Sequence, residues 1–154
     1  LDRSAQISDF RNVKQLGQGA YGKVMCVESK ASGKQYALKI ISKKAIQNLR
    51  MQDQMKTEVE IMKSLDHPNV VANITNFEDS TNIYLLMELA EEGHLYSRLK
   101  KAGRFDEKTA AKYLFDIMKA VNYLHERDPP IIHRDIKAEN VLFFGDLLKI
   151  ADFG

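Results

Sequence analysis

Residues 131–154 read Ile131-Ile132-His133-Arg134-Asp135-Ile136-Lys137-Ala138-Glu139-Asn140-Val141-Leu142-Phe143-Phe144-Gly145-Asp146-Leu147-Leu148-Lys149-Ile150-Ala151-Asp152-Phe153-Gly154. Two polar clusters interrupt this otherwise apolar sequence. The first, His133 to Asn140, is entered from Ile131-Ile132 and left through Val141 to Phe144; the second, Asp152-Phe153-Gly154, is reached from Leu147 to Ala151. Short apolar runs joined at Gly145-Asp146 predict a small hairpin, and such a hairpin swings Asp152 back toward Asn140. One site then gathers two carboxylates, Asp135 and Asp152, with the Asn140 carboxamide and the Lys137 ammonium. Mg²⁺ takes oxygen ligands and keeps places for phosphate and water, so this donor set suits a magnesium–nucleotide site. A bare Asp-Phe-Gly is no signal. The loop ahead of it, at hairpin-compatible spacing, makes an incidental polar loop a poor explanation.

The 154 residues, 44% hydrophobic, suffice for a core of ordinary domain size. Lys plus Arg number 23 against 21 Asp plus Glu, a net charge of +2, which predicts neither a nucleic-acid stripe nor a membrane-seeking patch. A single cysteine, Cys26, excludes an internal disulfide and points to a reducing, intracellular setting, cytoplasmic or nuclear. No apolar run approaches the roughly twenty residues of a membrane span, and no signal-peptide segment opens the chain. The chain starts at Leu1 and stops directly after the triplet, so it is expected to be a fragment of a longer protein.

Residues 1–9 are polar and read as a leader. Apolar-rich runs at Phe10 to Leu16, Lys23 to Glu28 and Gln35 to Ile41 alternate with glycine-containing turns, which predicts an antiparallel meander. Between the first two runs lies Gly17-Gln18-Gly19-Ala20-Tyr21-Gly22-Lys23-Val24. In dinucleotide folds G-x-G-x-x-G opens a helix; here the β-forming run Val24 to Val27 follows, so a hairpin is expected instead. Without Cβ atoms, such a hairpin can lay its backbone N–H groups over phosphates.

In the third run, period-2 alternation puts Ala37 and Lys39 on one face and Tyr36, Leu38 and Ile40 on the other. A lysine among apolar neighbours is costly to bury unless its charge is paired. The next helix carries an apolar stripe Met51, Met55, Met62, Leu65, with Glu58 inside it and Glu60 ~200° around the helix from Glu58. A Lys39–Glu58 pair is the expected consequence. Asp66-His67-Pro68-Asn69 reads as a turn in which His67 caps or packs. Strands are predicted at Val70 to Phe77 and Asn82 to Leu89, with a lobe boundary at Ala90 to Gly93. A long helix starts from Asp106 as N-cap, its core stripe being Ala110, Leu114, Ile117, Met118, Val121 and Leu124.

The loop, the triplet, the glycine-rich hairpin and the lysine–glutamate pair together resemble a eukaryotic protein kinase from about Phe10 to the end of the chain. That resemblance implies an α+β fold: an antiparallel five-stranded N-lobe with helix C (10–89), then hinge, first helices and catalytic loop of a truncated helical C-lobe (90–154). It implies ATP and Mg²⁺, with Asp135 accepting the substrate proton, Lys137 neutralising the γ-phosphate, Asn140 and Asp152 as metal ligands, and Lys39 and Glu58 positioning the nucleotide. The same resemblance assigns the nucleotide Leu16, Gly17, Gly19 and Gly22, Val24 and Ala37 above the purine, Leu142 beneath it, Met87 as gatekeeper, and the backbone of Glu88 and Ala90 at the adenine edge. Lys137, two residues after Asp135, follows the serine/threonine pattern, and Arg134 resembles kinases switched on by phosphorylation. The nearest subgroup is similar to the Aurora and related basophilic kinases.

Two departures carry expectations. Ala138 stands where proline is usual, which loosens local stiffness. Asn73 falls near a usual leucine, so its amide needs a partner. In a kinase the long helix packs against C-terminal helices, so an apolar face is expected to be left open to a protein partner. A serine/threonine kinase acting on protein substrates is the expected function, and a truncated nucleotide-binding or interaction module without transfer activity is the alternative.

Overall fold

The computed structural model describes residues 5–19, 22–133 and 136–151. The chain divides into two units, Leu1–Ser64 with Ala72–Leu89, and Leu65–Val71 with Ala90–Gly154.

In the first unit, β1 (Phe10–Gln18), β2 (Gly22–Ser29), β3 (Gln35–Ser42), β4 (Asn73–Glu78) and β5 (Asn82–Met87) form an antiparallel sheet in the order β1-β2-β3-β5-β4. Alternation along β3 distributes its side chains between two cores. Tyr36, Leu38 and Ile40 pack with Met25, Val27, Tyr84 and Leu86 on one face, and Ile41 joins Leu85, Ile46 and Met55 on the other. Phe77 reinforces the first core by stacking on both Phe10 and Tyr84, with centroids 6.0 and 4.9 Å away. Register shifts in β1, between Asn12 and Lys14 and between Gln15 and Gly17, interrupt the edge strand in the manner that discourages edge-to-edge pairing.

A short helix that the periodicity did not predict, α1 (Lys43–Asn48), follows β3 directly, because the Ser42 side chain accepts from the Ala45 N–H and caps it. Helix α2 (Gln52–Ser64) and Met51 just before it lay Met51, Met55, Val59 and Met62 against Ile41 and Ile46, a stripe at intervals of four, four and three. Val59 therefore takes the place expected for Leu65, which lies past the end of α2 and packs in the core of the second unit. The strand expected from Val70 begins at Asn73 instead. Val70 and Val71 belong to the second unit, where Val70 bridges Ile150 and the Val71 N–H donates to the Ile150 carbonyl at 3.0 Å.

The second unit contains α3 (Leu95–Ala102), α4 (Glu107–His125) and the hairpin β6 (Val141–Phe144) with β7 (Leu147–Ile150). Asp106 caps α4 by accepting from the Thr109 N–H at 2.7 Å, as expected of an N-cap. Gly145 at the hairpin turn has φ +65°, a left-handed conformation that favours glycine. Ala120, Leu124, Val141, Phe143, Leu148, Ile150 and Val70 form the core. The apolar arc of α4 is wider than its partners cover. Ile117, Ala120 and Leu124 point inward, whereas Leu114 and Met118, expected in the core, are 57% and 58% exposed beside Phe115 at 62%.

Candidate functional site

Strand pairing in the first unit brings four of the expected nucleotide residues to one sheet face. Lys39 lies opposite Val24 on β2, and Ala37 opposite Met87 on β5; directly opposed residues share a face, as do Ala37 and Lys39 two apart. Gly17 is likewise paired with Val24. The Gly19 N–H donates to the Gly22 carbonyl at 2.7 Å, closing the glycine-rich turn. A Cβ on Gly17 would meet no heavy atom within 4 Å, so backbone there lies open to a ligand. Leu16 is 45% exposed. At the end of β5, the Glu88 N–H donates to the Ala72 carbonyl at 3.2 Å while its carboxylate accepts the Ala72 N–H at 2.8 Å, which fixes the backbone at Glu88.

Among the described residues the expected Lys39–Glu58 pair is not seen. Glu58 accepts from Gln54 Nε2 at 3.2 Å, one helical turn back. Glu58 flanks the packed stripe instead of lying within it, and Val59 occupies the inward phase. Glu60 is on the solvent side as phased, its side chain 66% exposed and 3.5 Å from Lys63. Asn73 has its partner: its Nδ2 donates to Asn76 Oδ1 at 2.8 Å.

In the second unit, Val141 pairs with Ile150, and immediately beyond that pair the Ala151 N–H donates to the Asn140 carbonyl at 2.9 Å. The hairpin thus joins the end of the first polar cluster to the residue preceding the second. Asn140 is itself buried, at the close of a short 3-10 turn begun from Lys137. His133, buried at 3% exposure, places Nε2 2.6 Å from the Ala151 carbonyl; a carbonyl only accepts, so this nitrogen carries the proton. Both backbone groups of Ala151 are therefore held, one by Asn140 and one by His133. The sequence singled out His133 only as part of a cluster; the usable signal was a polar side chain directly following the apolar pair Ile131-Ile132. Leu142 is half-buried and bridges His94, and Ala90 is half-buried at the start of this unit's longer segment. Asp135, Asp152 and Arg134 lie outside the described residues.

Elsewhere in the first unit, a cavity of about 680 Å³ is lined by Ile46, Met55, Val59, Phe77 and Ile83 among others. None of the expected nucleotide residues lines it. Among the described residues no cluster of three or more His, Cys, Asp or Glu could hold a metal, and no helix is long and apolar enough to cross a membrane.

The described residues thus hold a five-stranded sheet with a glycine-rich turn in the first unit, and in the second a polar loop tied to the end of a hairpin. The protein kinase domain family matches residues 10–154, and the chain belongs to it. It is 46% identical over 149 residues to an Aurora kinase of Candida albicans, covering 96% of this chain and 28% of that one. An Aurora kinase of Saccharomyces cerevisiae is 40% identical over 153 residues, 99% of this chain and 41% of its own. Aurora kinase B-A of Xenopus laevis is also 40% identical over 153 residues, 99% of this chain and 42% of its own. The chain thus spans less than half the length of these relatives.

Proposed function

We propose that this chain supplies the nucleotide site and catalytic loop of an ATP-dependent protein serine/threonine kinase, which moves the γ-phosphoryl group of ATP to a protein hydroxyl. The observation that carries this reading is the Ala151–Asn140 hydrogen bond of 2.9 Å, which ties the loop containing Asp135 and Lys137 to the residue before Asp152. By the kinase resemblance, Val24, Ala37 and Leu142 are assigned to the purine, Met87 is the gatekeeper, the backbone of Glu88 and Ala90 is assigned to the adenine edge, and Leu16, Gly17, Gly19 and Gly22 are assigned to the nucleotide. Lys39 binds the α- and β-phosphates, and Glu58 orients Lys39 once nucleotide is present. Asp135 accepts or orients the hydroxyl proton of the acceptor, and Lys137 offsets charge on the transferring group.

One carboxamide and one carboxylate, Asn140 and Asp152, are hard oxygen donors that suit Mg²⁺ while leaving places for phosphate and water. Bound there, the ion supplies electrostatic neutralisation of the phosphate oxygens. The reading implies an intracellular setting, with ATP and a protein substrate carrying Ser or Thr as the partners. The test is transfer from ATP to matched peptides carrying Ser, Thr or Tyr, with the full-length protein. Transfer to Ser and Thr is expected; a tyrosine preference would overturn the assignment of Lys137, and nucleotide binding without transfer to any of the three would overturn the activity.

A further inference from the structure

The β6–β7 hairpin is gripped from the side by a charged cluster on α4 that the catalytic reading does not use. In a two-residue hairpin, alternate residues of each strand turn their N–H and C=O away from the partner strand. For β7 these outward groups belong to Leu148 and Ile150, and each meets a defined partner. Asn69, 1% exposed, donates through Nδ2 to the Leu148 carbonyl at 2.8 Å and accepts the Ile150 N–H on its own carbonyl at 2.9 Å. The Val71 N–H donates to the Ile150 carbonyl at 3.0 Å. That leaves the Leu148 N–H, which donates to Asp116 Oδ2 at 3.3 Å.

Asp116 is 4% exposed, and two lysines of its own helix flank it: Lys112 Nζ at 3.5 Å and Lys119 Nζ at 3.3 Å. Lys112 also donates to the Asp146 carbonyl at the hairpin turn. A buried carboxylate held this way is expensive to place on a core-facing helix without a task. Here it completes the edge of β7, while Lys112 secures the tip.

We propose that Asp116, with Lys112, is a positioning residue for phosphoryl transfer: it sets the height of β7 on α4, and with it the backbone at Ala151 from which the chain enters Asp152. This rests on the kinase reading for its functional part, but the mechanical part stands on its own. The hairpin is four residue pairs long, from Phe144–Leu147 at the tip to Val141–Ile150, too short to absorb a displacement at one end. Its other end carries the Ala151–Asn140 bond.

The test combines amide exchange and kinetics on the full-length protein and on Asp116→Asn, Asp116→Ala and Lys112→Met. Loss of a hydrogen bond to a charged group predicts roughly tenfold to hundredfold faster exchange at Leu148 in Asp116→Ala. The proposal further requires faster exchange at Ala151, where Asp116 makes no contact. Asp116→Asn, which keeps an acceptor oxygen, should restore most of the protection, and Lys112→Met should have the same pattern more weakly. In transfer assays kcat should fall roughly tenfold in Asp116→Ala while KM for ATP stays within about twofold, since binding and positioning are separable. Fast exchange at Leu148 with wild-type protection at Ala151 would reduce Asp116 to a local structural role and overturn the proposal, as would unchanged kcat. If the parent protein transfers no phosphate at all, the activity assignment fails, and exchange at Ala151 alone decides the clamp. Should Asp116→Ala fail to fold, Asp116→Asn and Lys112→Met decide it by the same two readouts.

Discussion

Gly22 and Gly17 make opposite demands on a methyl group, and alanine at each separates folding from nucleotide binding. A Cβ on Gly22 would lie 2.0 Å from the Ile40 carbonyl oxygen, 3.0 Å from its carbon and 3.1 Å from Ile41 Cα. The closest approach is about 1.4 Å inside ordinary van der Waals contact, which begins near 3.4 Å. All three atoms are backbone of β3, which pairs with β2 through Gly22–Ile41 and Lys23–Ile40. No rotamer change can relieve the clash, so the strands must part and weaken the ladder there. Overpacking costs ~1–3 kcal/mol and a weakened ladder bond ~1 kcal/mol, so Gly22→Ala should lose about 2–4 kcal/mol. In urea that is a midpoint shift of about 1–2 M at a slope of ~2 kcal/mol/M. A Cβ on Gly17 meets nothing within 4 Å, so Gly17→Ala should keep the midpoint, or raise it slightly because the unfolded chain loses freedom. Its methyl would nonetheless stand where backbone is expected to approach phosphate, and MgATP affinity should fall roughly tenfold, the effect of ~1.4 kcal/mol. Urea unfolding and nucleotide titration on both variants decide this. If Gly17→Ala is destabilised as much as Gly22→Ala, or if Gly22→Ala unfolds at the wild-type midpoint, the reasoning about the turn is wrong.

Glu58→Gln should reduce kcat/KM roughly tenfold to hundredfold, since a charge-assisted contact to Lys39 is worth ~1.5–3 kcal/mol, while Glu60→Gln, on the solvent side, should change it little; equal losses would mean that Lys39 is positioned without Glu58. Asp79 is held far below the ordinary carboxylate value of 3.8 by the Tyr84 hydroxyl first, then by the Asn82 and Thr81 N–H groups. As pH falls below about 4 the unfolded state takes up a proton that the folded Asp79 refuses, so stability contributed above that pH is lost on acidification. Asp79→Asn should therefore show a smaller drop in Tm between pH 5 and pH 3 than wild type, and identical drops would count against the turn's hydrogen bonds. Phe143, fully buried between Tyr113 and the Arg98 guanidinium, should cost ~3–5 kcal/mol on change to alanine, read by chemical unfolding.

Local periodicity carried much of the fold. Alternation in β3 correctly separated Ala37 and Lys39 from Tyr36, Leu38 and Ile40, because a strand between two cores must sort its side chains by parity. Asp106 was legible as a cap because its side chain acts within three residues. What failed involved choices between partners distant in sequence. Leu65, Val70 and Val71 have the right apolarity for α2 and β4, yet they pack or pair in the other unit, with Leu65 on its core and Val71 on Ile150. Periodicity cannot tell which of two cores takes an apolar side chain. On α4, Leu114 and Met118 fell on a stripe too wide for the hairpin to cover, so being apolar did not mean being buried. Glu58 was placed by phase alone, and a shift of one residue toward Val59 moved it to the flank, where Gln54 holds it. Ser42 and α1 were missed because a six-residue helix leaves almost no periodic signal.

The proposal that this chain carries the nucleotide and phosphoryl-transfer residues of a serine/threonine kinase, Lys39 and Asp152 among them, is tested most directly by a single-turnover transfer assay. It would use γ-labelled ATP, Mg²⁺ and a serine peptide, comparing the full-length protein with Lys39→Met and Asp152→Ala. Both variants should retain the wild-type far-UV circular dichroism and lose transfer by at least about a thousandfold, the scale of removing a principal charge-stabilising group. Near-wild-type turnover in either folded variant would contradict the assignment of the site.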